Sequence, residues 1–156
     1  MLGTEITDEI SIHSQFEVDF LKGIPDSFDS RTKWGACVHP IRNQGRCGSC
    51  WAFGASEALS DRFCIASHGK INAPLSPQDF LSCSTGSYNG CKGGRLDHAW
   101  QYLERAGLPS DQCEPYKAKG SSVVPCPARC ENGSRLRRHK CKAGSLKVAH
   151  GAEATK

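Results

Sequence analysis

Ten consecutive residues carry side chains whose types and spacing could do chemistry: Gln44-Gly45-Arg46-Cys47-Gly48-Ser49-Cys50-Trp51-Ala52-Phe53. Cys50 opens a stretch with helical periodicity, where backbone N–H groups and the positive end of the helix dipole stabilise a thiolate. A thiolate available at neutral or acidic pH is a nucleophile. Gln44 offers a side-chain amide to a developing oxyanion, and the Cys50 backbone N–H offers a second donor. Gly45 and Gly48 let the backbone turn tightly and let a substrate chain come close. Trp51 is placed to pack beneath the site and exclude water. This set suits acyl transfer through a thioester. Two other chemistries draw on the same residues. Cys47 and Cys50 have the C-x-x-C spacing of thiol redox proteins, but the preceding segment is turn-rich and offers no strand of a βαβ unit. Cys47, Cys50, Cys126, Cys130, His139 and Cys141 would serve zinc by count, but the second cluster has no matching spacing.

Helices must position these groups. From Cys50 to about Ser67 the apolar residues Trp51, Phe53, Ala55, Ala58, Leu59, Phe63 and Ile65 recur at helical spacing, and Gly69 follows as a stop. Ser76-Pro77-Gln78-Asp79 reads as an N-cap, a proline at the first helical position and an acid in the first turn; this helix ends near Cys83. A third is predicted from Leu96 to Ala106, with Gly107 as its C-cap and Pro109 beyond. Residues 24–49 are rich in turn formers (Pro25, Gly35, Pro40, Asn43, Gly45, Gly48) and read as an irregular segment. Residues 1–23 read as an acidic leader. The region after 114 reads as loop, with short strands at 121–124 and 145–149. No repeat is visible.

Composition bounds the rest. The chain has 156 residues, 23% charged and 38% hydrophobic, enough for a buried core. No apolar run reaches 18 residues, which excludes a spanning helix. Ten cysteines argue for an oxidising compartment and a disulfide framework. The net charge of +4 is too small to mark a nucleic-acid partner. Residues 1–114 hold 10 basic and 14 acidic side chains, and residues 115–156 hold 10 and 2. Arg135, Arg137, Arg138, Lys140 and Lys142 therefore form a basic patch, read as a solvated loop because no aromatic interleaves the charges. Glu5, Asp8, Glu9, Glu17 and Asp19 make the start unlike a signal peptide. The expectation is a piece of a longer protein, cut at both ends.

The segment 44–53 resembles the active-site signature of the papain family of cysteine proteases: Cys-Gly-Ser-Cys-Trp, preceded by Gln six residues before the nucleophile. Ile24 to Arg31 resembles the start of the mature enzyme. Leu75 to Cys83 and Gly90-Cys91-Lys92-Gly93-Gly94 resemble later landmarks of the family. Asp61-Arg62-Phe63-Cys64-Ile65 and Gln112-Cys113-Glu114-Pro115-Tyr116 resemble its cathepsin B branch. The likeness implies an α+β papain-like fold, here mainly the helical left domain with disulfide-stapled loops and the β-rich right domain largely missing. It divides the chain into a propeptide remnant (1–23), the helical half of the peptidase domain (24–142) and the start of the truncated right domain (143–156).

The resemblance makes Cys50 the nucleophile and Gln44 its oxyanion partner, with Gly48, Trp51, Gly93 and Gly94 at the substrate. Gly93 and Gly94 would give backbone hydrogen bonds to an extended chain; a tight turn after a disulfide is the competing reading. The family's His and Asn follow the nucleophile by about 130–150 residues, which lies beyond Lys156. None of His13, His39, His68, His98, His139 and His150 stands in the family's Gly-His-Ala setting. The implied bridges are Cys37–Cys64, Cys47–Cys91, Cys83–Cys126 and Cys113–Cys130, with Cys141 left over; an alternative register bridges Cys130 to Cys141. Asn132-Gly133-Ser134 is a glycosylation sequon. The expected partners are polypeptide substrates and cystatin-like inhibitors, without nucleic acid, membrane insertion, metal or cofactor. The expected location is a lysosome-like vacuole or the exterior. Only 12 residues, none of them His, separate Cys113 from Cys126. The His-bearing loop that makes cathepsin B trim C-terminal dipeptides is therefore absent, which implies an endopeptidase.

Overall fold

The computed structural model describes residues 4–5, 25–84, 90–118 and 124–145. Its named elements are β1 (Thr4–Glu5), α1 (Ser30–Trp34), α2 (Cys50–Ala66), α3 (Pro77–Cys83), β2 (Gly94–Arg95) and α4 (Leu96–Arg105), with 3-10 turns at Gly35–Cys37 and Gly90–Lys92.

The 17 residues of α2 form the axis of the molecule. Trp51, Ala52, Ala55, Ser56, Leu59, Ser60 and Cys64 fall on its buried face, against α3 and α4. The helix stops where the sequence places a stop: the Gly69 N–H closes on the Cys64 carbonyl at 2.8 Å, and Gly69 takes a positive φ of 82°. Ser76 caps α3 by accepting from the Asp79 N–H at 3.2 Å, with Pro77 in the first turn. Trp51, Phe80 and Tyr102 bring one ring each from α2, α3 and α4 into a row, with 5.5 Å between successive centroids. Leu75, Leu103 and Leu108 complete the centre of this core.

Gly107 ends α4 at a point only glycine can occupy. Its φ is +75°, and a Cβ there would meet the His139 carbonyl oxygen at 2.4 Å. The close approach lets residues 138–141 strap the helix end. Leu108 and His139 exchange two backbone hydrogen bonds, and the Cys141 N–H donates to the Leu103 carbonyl at 3.1 Å.

Four disulfides complete the frame: Cys37–Cys64, Cys47–Cys91, Cys83–Cys126 and Cys113–Cys130. The first ties the end of α2 to the entry segment, and the second ties the loop before α2 to the turn before β2. Cys130 pairs with Cys113, which excludes the register that joins it to Cys141.

Two sequence expectations change. Residues 24–49 are not wholly irregular: Asp29 accepts from the Arg31 N–H at 2.9 Å and starts the five-residue α1. Arg138 is not a solvated cation of the basic patch. Its guanidinium reaches 2.5 Å from Asp79 Oδ1 beneath the strap, because a carboxylate buried there requires a positive partner. Of the two strands expected after residue 114, Val124 and Ser145 are irregular, and the remaining positions, 121–123 and 146–149, lie outside the described residues. The leader and residues 146–156 also lie outside them, apart from β1, which pairs in parallel with β2 through Thr4↔Gly94 and Glu5↔Arg95.

Candidate active site

Cys50 is the first residue of α2 and is half-buried. None of the four bridges includes it. Cys47, the other half of the C-x-x-C, is bonded to Cys91, so the disulfide of a redox pair does not form here.

The loop before Cys50 is fixed by hydrogen bonds that its own sequence supplies. Asn43 Oδ1 accepts from the Gly45 N–H at 2.8 Å, a turn that Gly45 completes with a φ of 62°. Gln44 Nε2 donates to the Cys47 carbonyl at 2.8 Å, which engages one of its two amide hydrogens and fixes the direction of the side chain. The same carbonyl accepts from the Ser49 N–H at 2.8 Å. Gly48 donates to the Cys91 carbonyl at 2.7 Å, beside the disulfide. Ahead of the loop, Arg42 bonds to Glu57 at 3.2 Å and to Asp111 at 2.5 Å, and its guanidinium lies over the Phe53 ring.

Trp51 is completely buried, and its Nε1 donates to the Gly90 carbonyl at 3.4 Å. A Cβ on Gly94 would stand 2.5 Å from two ring carbons of Trp51. Trp51 thus carries β2 on its face as a floor; with no exposed surface, its ring does not touch a bound chain directly. Gly93, at φ 126°, makes the turn that lays Gly94 there. Of the two readings of the glycine pair, the turn is the one seen here: Gly93 turns the chain, and Gly94 is buried and pairs with Thr4 of β1.

Two of the described histidines have contacts that fix them in the fold, His39 and His139. The two ring nitrogens of His39 lie 2.7 Å from Asp61 and 2.8 Å from Asn72. The His139 ring packs on Phe63 with centroids 5.9 Å apart. His98 neighbours Asp97 on α4. Asn132 is exposed in a turn, its Oδ1 accepting from the Ser134 N–H at 3.0 Å.

A second cluster, absent from the sequence reading, lies between α3, α4 and the strap. Asp79 has no exposed surface; its Oδ1 accepts from the Tyr102 hydroxyl at 2.8 Å and from Arg138, which also donates to the Gly107 carbonyl at 2.9 Å. The Asp79 Oδ2 and both Glu114 carboxyl oxygens are buried without a hydrogen-bond partner. Burial, reinforced by the negative charge of Asp79, pushes the Glu114 carboxyl up to about 8. Burial raises the Tyr102 hydroxyl as well. Asp79, Cys83 and Glu114 are close enough to be read as a metal set. The Cys83 sulfur is spent on its bond to Cys126, and Arg138 already neutralises Asp79, so a proton on Glu114 suits the site better than a metal. In the sequence, the only signal was the acid at the third position of α3.

Cys50 at the start of α2, Gln44 bonded into the loop before it, the four bridges and the packing of three helices form one scaffold. The pattern of the papain family cysteine protease matches residues 24–155, and the chain belongs to that family. Within it, the similarity runs to cathepsin B-like proteins. The chain is 46% identical over 112 residues to cathepsin B-like cysteine proteinase 4 of Caenorhabditis elegans, which covers 66% of this chain and 32% of that protein. It is 40% identical to tubulointerstitial nephritis antigen-like of Mus musculus, over 72% of this chain and 24% of the other. Among solved structures, procathepsin B S9 from Trypanosoma congolense superposes with a TM-score of 0.78 at 30% identity, covering 92% of this chain and 51% of that one. The fold is papain-like, mainly helical here. The chain spans about a third of the length of the curated cathepsin B-like relatives it matches.

Proposed function

We propose that the protein to which this chain contributes is a cysteine-type endopeptidase. The Cys50 thiolate attacks the scissile carbonyl, and the second amide hydrogen of Gln44 and the Cys50 N–H receive the oxyanion. The C–N bond breaks and the amine leaves with a proton; water then hydrolyses the thioester to free the acid and regenerate the Cys50 thiol. In this scheme a His moves the protons and an Asn orients it; neither is assigned to a residue of this chain. An extended polypeptide substrate would run along Gly93 and Gly94. Cystatin-like inhibitors would occlude the same edge. Four disulfides support an oxidising, secretory-route location, lysosome-like or extracellular. The 12 residues between Cys113 and Cys126 hold no His, which supports internal cleavage over release of C-terminal dipeptides.

One observation carries the reading: Cys47 is held by Cys91, which leaves the Cys50 sulfur at the start of α2, with Gln44 bonded into the same loop. The test is turnover of a fluorogenic dipeptide amide by the natural protein beside its Cys50→Ala variant. Loss of the nucleophile should cost roughly 10³-fold or more. Turnover that survives the substitution would remove Cys50 from the mechanism. A correctly bridged protein with no turnover of peptides would favour an inert disulfide-rich binding module.

A further inference from the structure

Gln44 and Ser49 are joined by a residue far from both in sequence. The Tyr116 hydroxyl lies 2.9 Å from the Gln44 carbonyl oxygen and 2.7 Å from Ser49 Oγ. A carbonyl only accepts, and a phenol has a single proton to give. Tyr116 therefore donates to Gln44, and Ser49 donates to Tyr116. The result is a directed chain of two hydrogen bonds from the residue that leads into Cys50 to the residue proposed as the oxyanion donor.

Two features show that this bridge is built rather than incidental. Ser49 is the N-cap residue of α2, a position where serine ordinarily accepts from a first-turn N–H. Its side chain makes no cap bond, although it is completely buried. With its hydroxyl spent on Tyr116, it adds no acceptor to the positive end of the helix. Tyr116 itself is anchored from several sides. Its ring meets Phe53 edge-on at 4.7 Å. The next two backbone N–H groups, of Lys117 and Ala118, both donate to the buried Gln78 side chain, and the Glu114 carbonyl accepts from Ser76 Oγ at 2.7 Å. The phenol is thus a fixed point of the α3 side of the core.

We propose that Tyr116 is a positioning residue of the Cys50 site: by bridging Ser49 Oγ and the Gln44 carbonyl it sets the Gln44 amide at the distance from Cys50 that an oxyanion requires. The proposal rests on the endopeptidase reading of Cys50 and Gln44. Small displacements of such donors are costly, because an oxyanion contact is realised only at the transition state.

The experiment uses the natural protein and its Tyr116→Phe variant, which keeps the ring and loses both hydrogen bonds. Three quantities are read: kcat and KM on a fluorogenic peptide amide, the inhibition constant of a peptide aldehyde, and the rate of Cys50 alkylation by iodoacetamide. The aldehyde reports on the oxyanion site. Sulfur bonds to the carbonyl carbon, the π pair moves to oxygen, and no group leaves. Iodoacetamide forms an S–C bond with loss of iodide and generates no oxyanion. The expected result is a kcat lowered roughly tenfold or more, a KM within twofold, a similar weakening of the aldehyde and an alkylation rate within twofold. A merely structural role would move alkylation together with the rest. If the Tyr116→Phe protein fails to regain its four bridges, Ser49→Ala, which breaks only the upper link, is measured in its place, with the same pattern expected. Unchanged kcat and aldehyde binding in a protein whose turnover still requires Cys50 would overturn the positioning role and leave the peptidase reading standing. Turnover independent of Cys50 would overturn both.

Discussion

Gly94 shows how one missing methyl group can organise a site. Its position over the Trp51 ring leaves no room for a Cβ, which would sit 2.5 Å from two ring carbons. Gly94→Ala should therefore push β2 off its floor and cost about 1–3 kcal/mol of stability. A lowered urea midpoint with altered tryptophan fluorescence would check this; a midpoint unchanged from the parent would show that β2 moves without cost. The sequence marks the Gly93-Gly94 pair but cannot tell why Gly94 is small. Close approach of a substrate and close approach of Trp51 leave the same letter in the chain. Cys50 and Gln44 stood out as candidates because the pattern that marks them sets them only six residues apart. Tyr116 was legible only as part of a resemblance, since its hydroxyl acts across 67 and 72 residues.

At the scale of elements, α3 and α4 are joined through charge as well as apolar packing. Asp79 of α3, Tyr102 of α4, Arg138 of the strap and Glu114 enclose one another, with Ser82 also facing Glu114. Glu114 takes up its proton at about 8 in the folded state against 4.5 in the unfolded chain. Between those values the folded state holds the extra proton, so this contribution to stability is complete below about 4.5. It declines with rising pH and is gone once the pH has passed through 8. One linked proton gives a slope of at most about 1.4 kcal/mol per pH unit. Glu114→Gln, which stays neutral throughout, should flatten the decline in denaturation midpoint between pH 5 and pH 8. An equally steep decline in that variant would place the titration elsewhere. The starts and stops of α2, α3 and α4 follow from local caps and periodicity. Arg138 was hidden because nothing near residue 138 announces a buried acid that precedes it by 59 positions. The short α1, with five residues, has too few turns to show a period.

For the molecule as a whole, covalent closure carries much of the stability. The Cys37–Cys64 and Cys47–Cys91 loops span 27 and 44 residues. Closing them removes about 3.5 and 4 kcal/mol of unfolded-chain entropy on the polymer estimate. Those values rival the whole margin of a small domain, so reduction should unfold the described helices. Loss of far-UV circular dichroism on adding dithiothreitol would check it, and retention of the helical signal would shift the weight to the apolar core. The overall helical architecture was legible because a family signature and ten cysteines constrain it jointly. The parallel contact of β1 with β2 was not, because two residues contain no pattern.

The Tyr116 bridge also has a consequence in time. Residues 50–66 can wind up from neighbouring contacts alone, whereas the geometry at their N-terminal end waits for a phenol delivered from the other side of the core. Contacts of long sequence separation form only after their loop entropy has been met. A refolding chain should therefore regain its helices first, and only afterwards bring Cys50 and Gln44 into register. On the proposed reading, that order of assembly would keep an unfinished chain from acting on its neighbours before the Tyr116 bridge has closed.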